Sequence, residues 1–223
     1  MIFDKMLFPQ AVWPVDFHTD ANAGDYVSLK DYPTVGVLIS QNTAAGTAAV
    51  TLVQAKDVAA TGAKALAFTR YWVSGVKLNY DNPTGKFTVG EVVNGAGGGQ
   101  GTVYYDNGTY LLLYTVNATA FVDNETITGA TSATTASADG IGINEDIMLP
   151  VDLAAGVNTF TIPAVAQRKY GIEITADMLD RDNDYDCARV HIAAASDAGI
   201  GSAVYILTEG KVKGIPMPTA IYD

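Results

Sequence analysis

The sequence predicts an all-β protein in which a β-sandwich or jelly-roll-like base domain carries an inserted β-hairpin repeat domain. Short runs of apolar, β-branched and aromatic residues recur along the chain, and clusters of Gly, Asn, Thr and Pro separate them. Charged residues make up only 17% of the 223 residues and hydrophobic residues 48%, which is enough for a sizeable core. In addition, a segment in the middle of the chain repeats itself.

The base domain is predicted from residues 1–80 and 141–223 together, because these two segments share composition and strand pattern. Residues 1–33 contain Pro9 and Pro14 and no regular alternation, so they are predicted to form an extended N-terminal arm. The strands expected in the rest of the base domain cover residues 34–40, 48–55, 65–73, 158–163, 170–174, 188–193 and 203–207.

The inserted domain is predicted at residues 81–140, where one phrase recurs after 34 residues (121 − 87 = 34). Asp-Asn-Gly-Thr at 106–109 separates two Tyr-containing runs, which is a strong signal for a β-hairpin. Both ends of the insert are expected to lie close together. The recurring pairs are Phe87 and Phe121, Glu91 and Glu125, Val93 and Ile127, and Gly95 and Gly129.

Charge and composition argue against several classes of function. The net charge of −11 would repel a phosphate backbone, so no nucleic-acid partner is expected. No apolar run approaches the length of a membrane span, and the N-terminal residues lack the pattern of a signal peptide. Cys187 is the only cysteine, which excludes an intramolecular disulfide and a cysteine-rich zinc site.

The two recurring glutamates allow two interpretations. Glycosidases use two carboxylates across one cleft, so Glu91 and Glu125 could form such a pair. The interpretation we favour is that each is a repeated turn or surface residue, because repeat-related positions normally lie on separate hairpins.

A calcium site is a second candidate, because Asp180, Asp182, Asp184 and Asp186 place carboxylates at alternate positions. The segment departs from an EF-hand loop, which needs Gly where Tyr185 stands and a bidentate Glu where His191 stands. The alternative is a solvated turn before a strand.

Catalytic and phosphate-binding motifs are weaker. Cys187 and His191 are four residues apart on a predicted strand and therefore share a face, where we expect them to be packed side chains rather than a nucleophile and its base. His18 lies in the arm. The glycine-rich run at 95–101 has no helix behind it, so it is predicted to be a hairpin tip and not a phosphate loop. No catalytic residue and no cofactor are expected.

The phrase Phe-x-x-Gly-Glu-x-Val-x-Gly at 87–95, followed by a glycine tract and an aromatic strand pair, resembles a module common in tailed-bacteriophage virion proteins. It recurs in altered form at 121–135, where Asn124 replaces the first Gly. Residues 48–66 and 179–190 are similar to segments of phage head auxiliary proteins, which are also called cement or decoration proteins.

This resemblance implies a non-enzymatic structural protein of the virion, made in the host cytoplasm, often trimeric, and bound to the major capsid protein on the capsid surface. The sequence offers candidate partner-binding residues in the N-terminal arm, whose aromatic residues lie among prolines as in segments that become ordered against a partner. They are Phe3, Phe8, Trp13 and Phe17. The alternative is a tail, baseplate or fibre component that binds host-surface glycans through the Tyr-rich hairpins.

Overall fold

A computed structural model describes residues 6–18, 21–42, 46–115, 117, 119–139, 145–164 and 168–208, and these residues are almost entirely β-structure. Two short 3-10 helices, Ala176–Met178 and Arg181–Asn183, lie between strands. The strands are β1 Met6–Leu7, β2 Gln10–Asp16, β3 Asn22–Ala23, β4 Val27–Ser28, β5 Thr34–Gln41, β6 Ala48–Ala55, β7 Lys64–Leu66, β8 Arg70–Asp81, β9 Val92–Gly95, β10 Gln100–Asp106, β11 Tyr110–Thr115, β12 Thr126–Gly129, β13 Thr135–Ala138, β14 Glu145–Asp152, β15 Thr159–Ile162, β16 Arg168–Thr175, β17 Cys187–Ile192 and β18 Ile200–Thr208.

The chain forms two compact units. The first comprises Met1–Tyr71 and Val151–Asp223, and the second comprises Trp72–Pro150. The insert is therefore longer at both ends than the segment 81–140 expected from the sequence. The reason is that the run predicted as one strand at 65–73 is two strands, and the second of them, β8, continues to Asp81 as part of the inserted unit.

The first unit is a sandwich of two antiparallel sheets. In one sheet β18 lies between β5 and the pair β1 and β2, and β16 follows on the other side of β5. The other sheet has the order β15-β6-β17-β3, with β4 against β17 and β7 against β6. Alternate residues of the long strands are buried, as expected for strands with one face on a core.

The two sheets of this unit are joined by a buried tyrosine. Tyr205 of β18 is 1% exposed. Its hydroxyl donates to the carbonyl of Asp25 (2.7 Å) and accepts the amide of Val190 in β17 (3.0 Å). Because both hydrogen-bonding roles of the hydroxyl are filled, the polar group costs little where it is buried. Phe160 and Tyr170, also from opposite sheets, have ring centroids 5.6 Å apart.

The N-terminal arm is more regular than its sequence suggested. Residues of β2 pair antiparallel with β18, although the register shifts between Gly201 and Val204. Pro14 argued against a strand in the sequence, because proline lacks the backbone N–H that a central strand donates to its neighbour. At the edge of a sheet, and beside a register shift, its missing donor is tolerated.

The second unit is a small closed barrel, which the sequence did not predict. Its strands follow the order β8-β11-β10-β9-β12-β13, and β13 pairs again with β8. The predicted hairpin around Asn107-Gly108 is confirmed, with Asp106 opposite Leu111. Closure leaves these six strands without a free edge. The barrel is filled by side chains from both copies of the repeat: Leu78, Tyr80, Phe87, Val93, Val103, Leu111, Leu113, Phe121, Ile127, Ala136 and Ala138.

Within the described ranges, no helix is long and apolar enough to cross a membrane.

Candidate functional site

The two copies of the repeat meet around an approximate twofold axis. Strands β9 and β12 occupy equivalent places in the two copies and pair antiparallel with each other. Outside the strands, the amide of Ala96 bonds to Thr126 (3.0 Å), and 34 residues later the amide of Ala130 bonds to Val92 (2.9 Å). The register pairs are Ile127 with Gly95, Thr128 with Asn94, and Gly129 with Val93, so the equivalent residues Asn94 and Thr128 face each other.

Each recurring glutamate binds the turn of the other copy. The carboxylate of Glu91 accepts the amide of Thr88 in its own copy (2.6 Å). It also accepts the amides of Thr131 (2.9 Å) and Ser132 (2.8 Å) and the hydroxyl of Ser132 (2.7 Å), all from the second copy. Glu91 is 5% exposed, so these four donors replace the water that an ionised carboxylate needs.

Glu125 makes the matching contacts in the opposite direction. Its carboxylate accepts the amide of Val122 in its own copy (2.8 Å) and the amide of Gly97 in the first copy. Gly97 stands 34 residues before Thr131, so the two contacts between the copies are equivalent. The two glutamates are not fully equivalent, because Glu125 accepts fewer hydrogen bonds than Glu91 and is only half-buried.

The recurring glycines make room for these carboxylates. A Cβ on Gly129 would stand 2.7 Å from the Glu91 carboxylate oxygens, and one on Gly95 would collide with the carboxylate of Glu125. The replacement of Gly90 by Asn124 in the second copy is also explained by the backbone conformation. Gly90 has φ +89°, and its counterpart Asn124 has φ +59°, a left-handed conformation that asparagine tolerates better than most residues.

The geometry does not support Glu91 as a general acid. Burial alone would raise its pKa, but the hydrogen bonds from Ser132, Thr88 and Thr131 outweigh burial, and the pKa of Glu91 is lowered. A catalytic acid in a glycosidase needs the opposite shift. Both glutamates hold turns of the barrel, which agrees with the interpretation of repeated turn residues.

The aromatic candidates of the N-terminal arm separate into two groups. Phe8 is 44% exposed and Trp13, on the edge strand β2, is 67% exposed. Phe17, by contrast, is fully buried, and its ring occupies the space that a side chain at Gly201 would fill. Phe17 therefore belongs to the core of the first unit and does not face a partner. Phe3 lies outside the described residues.

The four aspartates of the acidic segment make separate contacts. Asp180 contacts the ammonium of Lys64 and the amide of Asn183, and these contacts lower its pKa. Asp186 accepts the thiol of Cys187 (3.0 Å), and Asp182 and Asp184 are exposed. In the part of the chain that the structure describes, no group of three or more His, Cys, Asp or Glu residues is placed to hold a metal. The segment forms a 3-10 turn before β17, which is the alternative interpretation.

Cys187 and His191 share one face of β17, as their spacing predicted. Burial, together with the neighbouring Asp186, raises the pKa of the Cys187 thiol to about 12. A thiol with such a pKa is protonated at neutral pH and is a poor nucleophile. The Nδ1 atom of His191 lies 3.5 Å from the hydroxyl of Thr51 on β6, and Nδ1 of His18 lies 3.2 Å from the carbonyl of Ala195.

A cluster of tyrosines on the outside of the barrel was not identified as a unit from the sequence. Tyr104 and Tyr105 are 37% and 47% exposed, and their rings lean on Tyr114 and Tyr110 of β11. A register shift between Val103 and Tyr105 produces this arrangement. The only available signal was the Tyr-Tyr pair itself, because alternation places consecutive residues on opposite faces of a regular strand.

Comparisons with known proteins do not assign a family. No protein-family model matches the sequence, and no curated protein sequence is significantly similar to it. A structural match was found to a chain of the solved structure of infectious bursal disease virus Gt strain, with a TM-score of 0.20 and 9% sequence identity. It covers 92% of this chain and 42% of the viral chain. A likeness at that level carries no argument about function.

Proposed function

We propose that this chain is a non-enzymatic structural protein of a tailed-bacteriophage virion, which binds the major capsid protein and stabilises the outer capsid lattice. The resemblance of residues 48–66, 87–101 and 179–190 to phage virion proteins supports the proposal. The closed barrel agrees with it, because its recurring glutamates, Glu91 and Glu125, bind turns of the barrel itself. In the proposed virion the chain forms a trimer.

One structural observation carries this proposal, namely the exposure of Trp13 on the edge strand β2, in an arm where Phe8 is exposed as well. The indole of Trp13 is 67% exposed on an ordered strand, so its burial contributes little to the stability of the fold. Tryptophan is one of the side chains that contribute most when they are buried at protein interfaces. Phe17 fixes this edge to the sandwich, where its amide donates to Gly199 (3.0 Å) and its carbonyl accepts the amide of Ala195 (2.8 Å). The edge is therefore presented on a rigid support.

Stabilisation of the shell would follow from mass action. A protein that binds only the assembled lattice shifts the equilibrium away from disassembly by about 2.7 kcal/mol per site at a free concentration 100 times the dissociation constant. No chemical step is required.

Co-sedimentation with purified tail-less heads that lack the protein tests the proposed edge. We expect the Trp13→Ala chain to bind heads at least about tenfold more weakly than the unaltered chain, because a central aromatic contact is typically worth 2 kcal/mol or more. Tyr105→Ala removes an exposed aromatic ring from the other unit and is the matched control. Equal binding by Trp13→Ala and the unaltered chain would contradict this assignment of the edge.

The alternative function is that of a tail, baseplate or fibre component. The exposed pair Tyr104 and Tyr105 favours it, because ligand-binding surfaces are rich in tyrosine. A tail component would be present in few copies and only on tailed particles, whereas a lattice protein would also be present on heads without tails.

A further inference from the structure

Two Asn-Gly pairs occur in the barrel, Asn94-Gly95 and Asn107-Gly108, and their surroundings differ. In such a pair the backbone nitrogen of the glycine can attack the side-chain amide carbon of the asparagine, because glycine has no Cβ to obstruct the approach. The ring that forms is a succinimide, and water opens it to aspartate or isoaspartate. In a folded protein, the rate of this reaction depends on how the two residues of the pair are held.

The first pair is enclosed by the sheet. Asn94 is half-buried in β9, where its side-chain oxygen accepts the side-chain amide of Gln100 (2.8 Å). The backbone amide of Gly95 donates to the carbonyl of Gly99 (2.8 Å). A Cβ on Gly95 would collide with the carboxylate of Glu125, so the backbone has little room to rearrange. Because ring closure at Asn94 would disturb the pairing of β9, we expect it to be slow.

The second pair lies outside the strands, between the end of β10 and the start of β11. Asn107 is exposed, and apart from its chain neighbours no atom lies within 4 Å of the position that a Cβ on Gly108 would take. The amide of Gly108 donates to the carboxylate of Asp106 (2.8 Å), a distance at which a carboxylate can accept a proton from a reacting group. The hydroxyl of Tyr80 (2.6 Å) and the amide of Phe87 (2.9 Å) hold this carboxylate in position.

The side-chain oxygen of Asn107 is held by three donors. It accepts the amides of Thr109 (2.9 Å) and Tyr110 (2.8 Å) and the hydroxyl of Thr109 (3.1 Å). These hydrogen bonds polarise the side-chain carbonyl, and they stabilise the negative charge that develops on the oxygen when a nucleophile attacks the carbon. Among the described residues, the side-chain oxygen of Asn94 has one such donor.

We propose that Asn107 is a site of self-modification, at which the folded chain converts its own asparagine to aspartate or isoaspartate. A bond forms from the nitrogen of Gly108 to Cγ of Asn107, and the bond from Cγ to Nδ2 breaks. The proton of the Gly108 amide passes by way of the Asp106 carboxylate to the departing nitrogen, which leaves as ammonia. Water then opens the succinimide, so the net change is uptake of water and loss of ammonia. This proposal does not depend on capsid binding.

The modification would change the tip of the hairpin in two ways. It adds a carboxylate next to that of Asp106, in a chain whose net charge is already −11. In addition, isoaspartate lengthens the main chain by one carbon, which displaces the donors of Thr109 and Tyr110 from the oxygen that accepts them. Because the hairpin belongs to the closed barrel, we expect the modified chain to unfold at a lower temperature than the unmodified chain.

The test follows the full-length chain during incubation at mildly alkaline pH, by peptide mapping with mass spectrometry. Replacement of the amide NH2 by OH raises the peptide mass, and an isoaspartyl methyltransferase labels the isoaspartate. In the folded chain we expect Asn107 to be converted at least about tenfold faster than Asn94. In denaturant the two rates should agree within about threefold, because the surroundings that distinguish the pairs are lost. Equal rates in the folded chain, or no conversion of Asn107, would overturn the proposal.

Thr109→Val separates assistance by the turn from exposure alone. This variant removes one donor to the oxygen of Asn107 and keeps the branched shape of the side chain. We expect conversion of Asn107 to be at least about threefold slower in the folded variant and unchanged in denaturant. Faster conversion in the folded variant would show that the turn protects Asn107, and it would contradict the proposal. Asn107→Gln is the control for the peptide assignment, and cooperative thermal unfolding shows that each variant is folded.

Discussion

At the scale of single residues, the recurrence in the sequence records contacts between the two copies. The 34-residue offset of Phe, Glu, the β-branched residue and Gly could be found in the sequence. The reason for this offset could not be found there. A carboxylate that accepts hydrogen bonds from its own copy and one that accepts them from the other copy produce the same sequence pattern. Only the pairing of β9 with β12 brings Glu91 to Thr131 and Ser132.

The first prediction compares the two glutamates. Glu91→Gln is expected to lower the unfolding free energy of the barrel by about 3 kcal/mol, because an amide group would face donors that now bond to a buried charge. Glu125→Gln is the matched control, since this carboxylate is half-buried and has fewer donors. Chemical denaturation would measure both losses. An equal or larger loss for Glu125→Gln would contradict the assigned roles.

The second prediction concerns pH. Because the pKa of Glu91 is lowered in the folded barrel, its contribution is fully present above the unfolded value of about 4.3 and is lost as pH falls through the folded value. The thermal unfolding midpoint of the barrel should therefore decrease as the pH is lowered from about 5 to about 3, and it should decrease by less in Glu91→Gln. Trp72 fluorescence in a Trp13→Phe background reports on the barrel. An identical acid dependence with and without Glu91 would contradict the prediction.

At the scale of elements, the strands that could be predicted are those with a clear hydrophobic period. The predicted ranges 34–40 and 48–55 correspond closely to β5 and β6. Prolines in the arm hid β2, because an edge strand tolerates a residue that a sequence pattern treats as a breaker. The register shift beside Tyr104 was equally hidden, since an extra residue in a strand leaves no periodic signal.

The third prediction separates the two aromatic residues of the arm. Phe17→Ala is expected to lower the unfolding free energy of the first unit by about 3–5 kcal/mol, because it leaves a cavity beside Gly201. Trp13→Ala should change the unfolding free energy by no more than about 0.5 kcal/mol, since the indole is exposed. Denaturation of the two variants compares them directly. A large loss of unfolding free energy with Trp13→Ala would show that the indole stabilises the fold, and it would contradict its assignment as a partner-binding residue.

At the scale of the whole molecule, the sequence predicted a base domain and an insert, and it placed the boundary between residues 80 and 81 within β8. The first unit holds the two ends of the insert next to each other. The amide of Leu153 donates to the carbonyl of Thr69 (2.8 Å), and Arg70 pairs with Asp152 (2.6 Å). Closure of the barrel was not predictable, because the pairing of β13 with β8 joins short segments far apart in the chain.

The fourth prediction follows from these adjacent ends. Replacing residues 72–150 by a short Gly-Ser linker should leave the first unit folded, because the residues that fill the barrel all lie within the second unit. The shortened chain is expected to unfold cooperatively and to bind heads through Trp13. A molten chain without a cooperative transition would contradict the division into two units, whereas a folded chain that fails to bind heads would place the capsid contact in the barrel.

The most direct test of the proposed function is the copy number of this chain in purified virions, measured by quantitative mass spectrometry against the major capsid protein. A protein that stabilises the lattice is expected in a fixed proportion to the capsid protein, at a multiple of the number of capsid hexamers, and at the same proportion in tail-less heads. A count of only a few copies per particle, or its absence from tail-less heads, would contradict the proposal and favour a tail component.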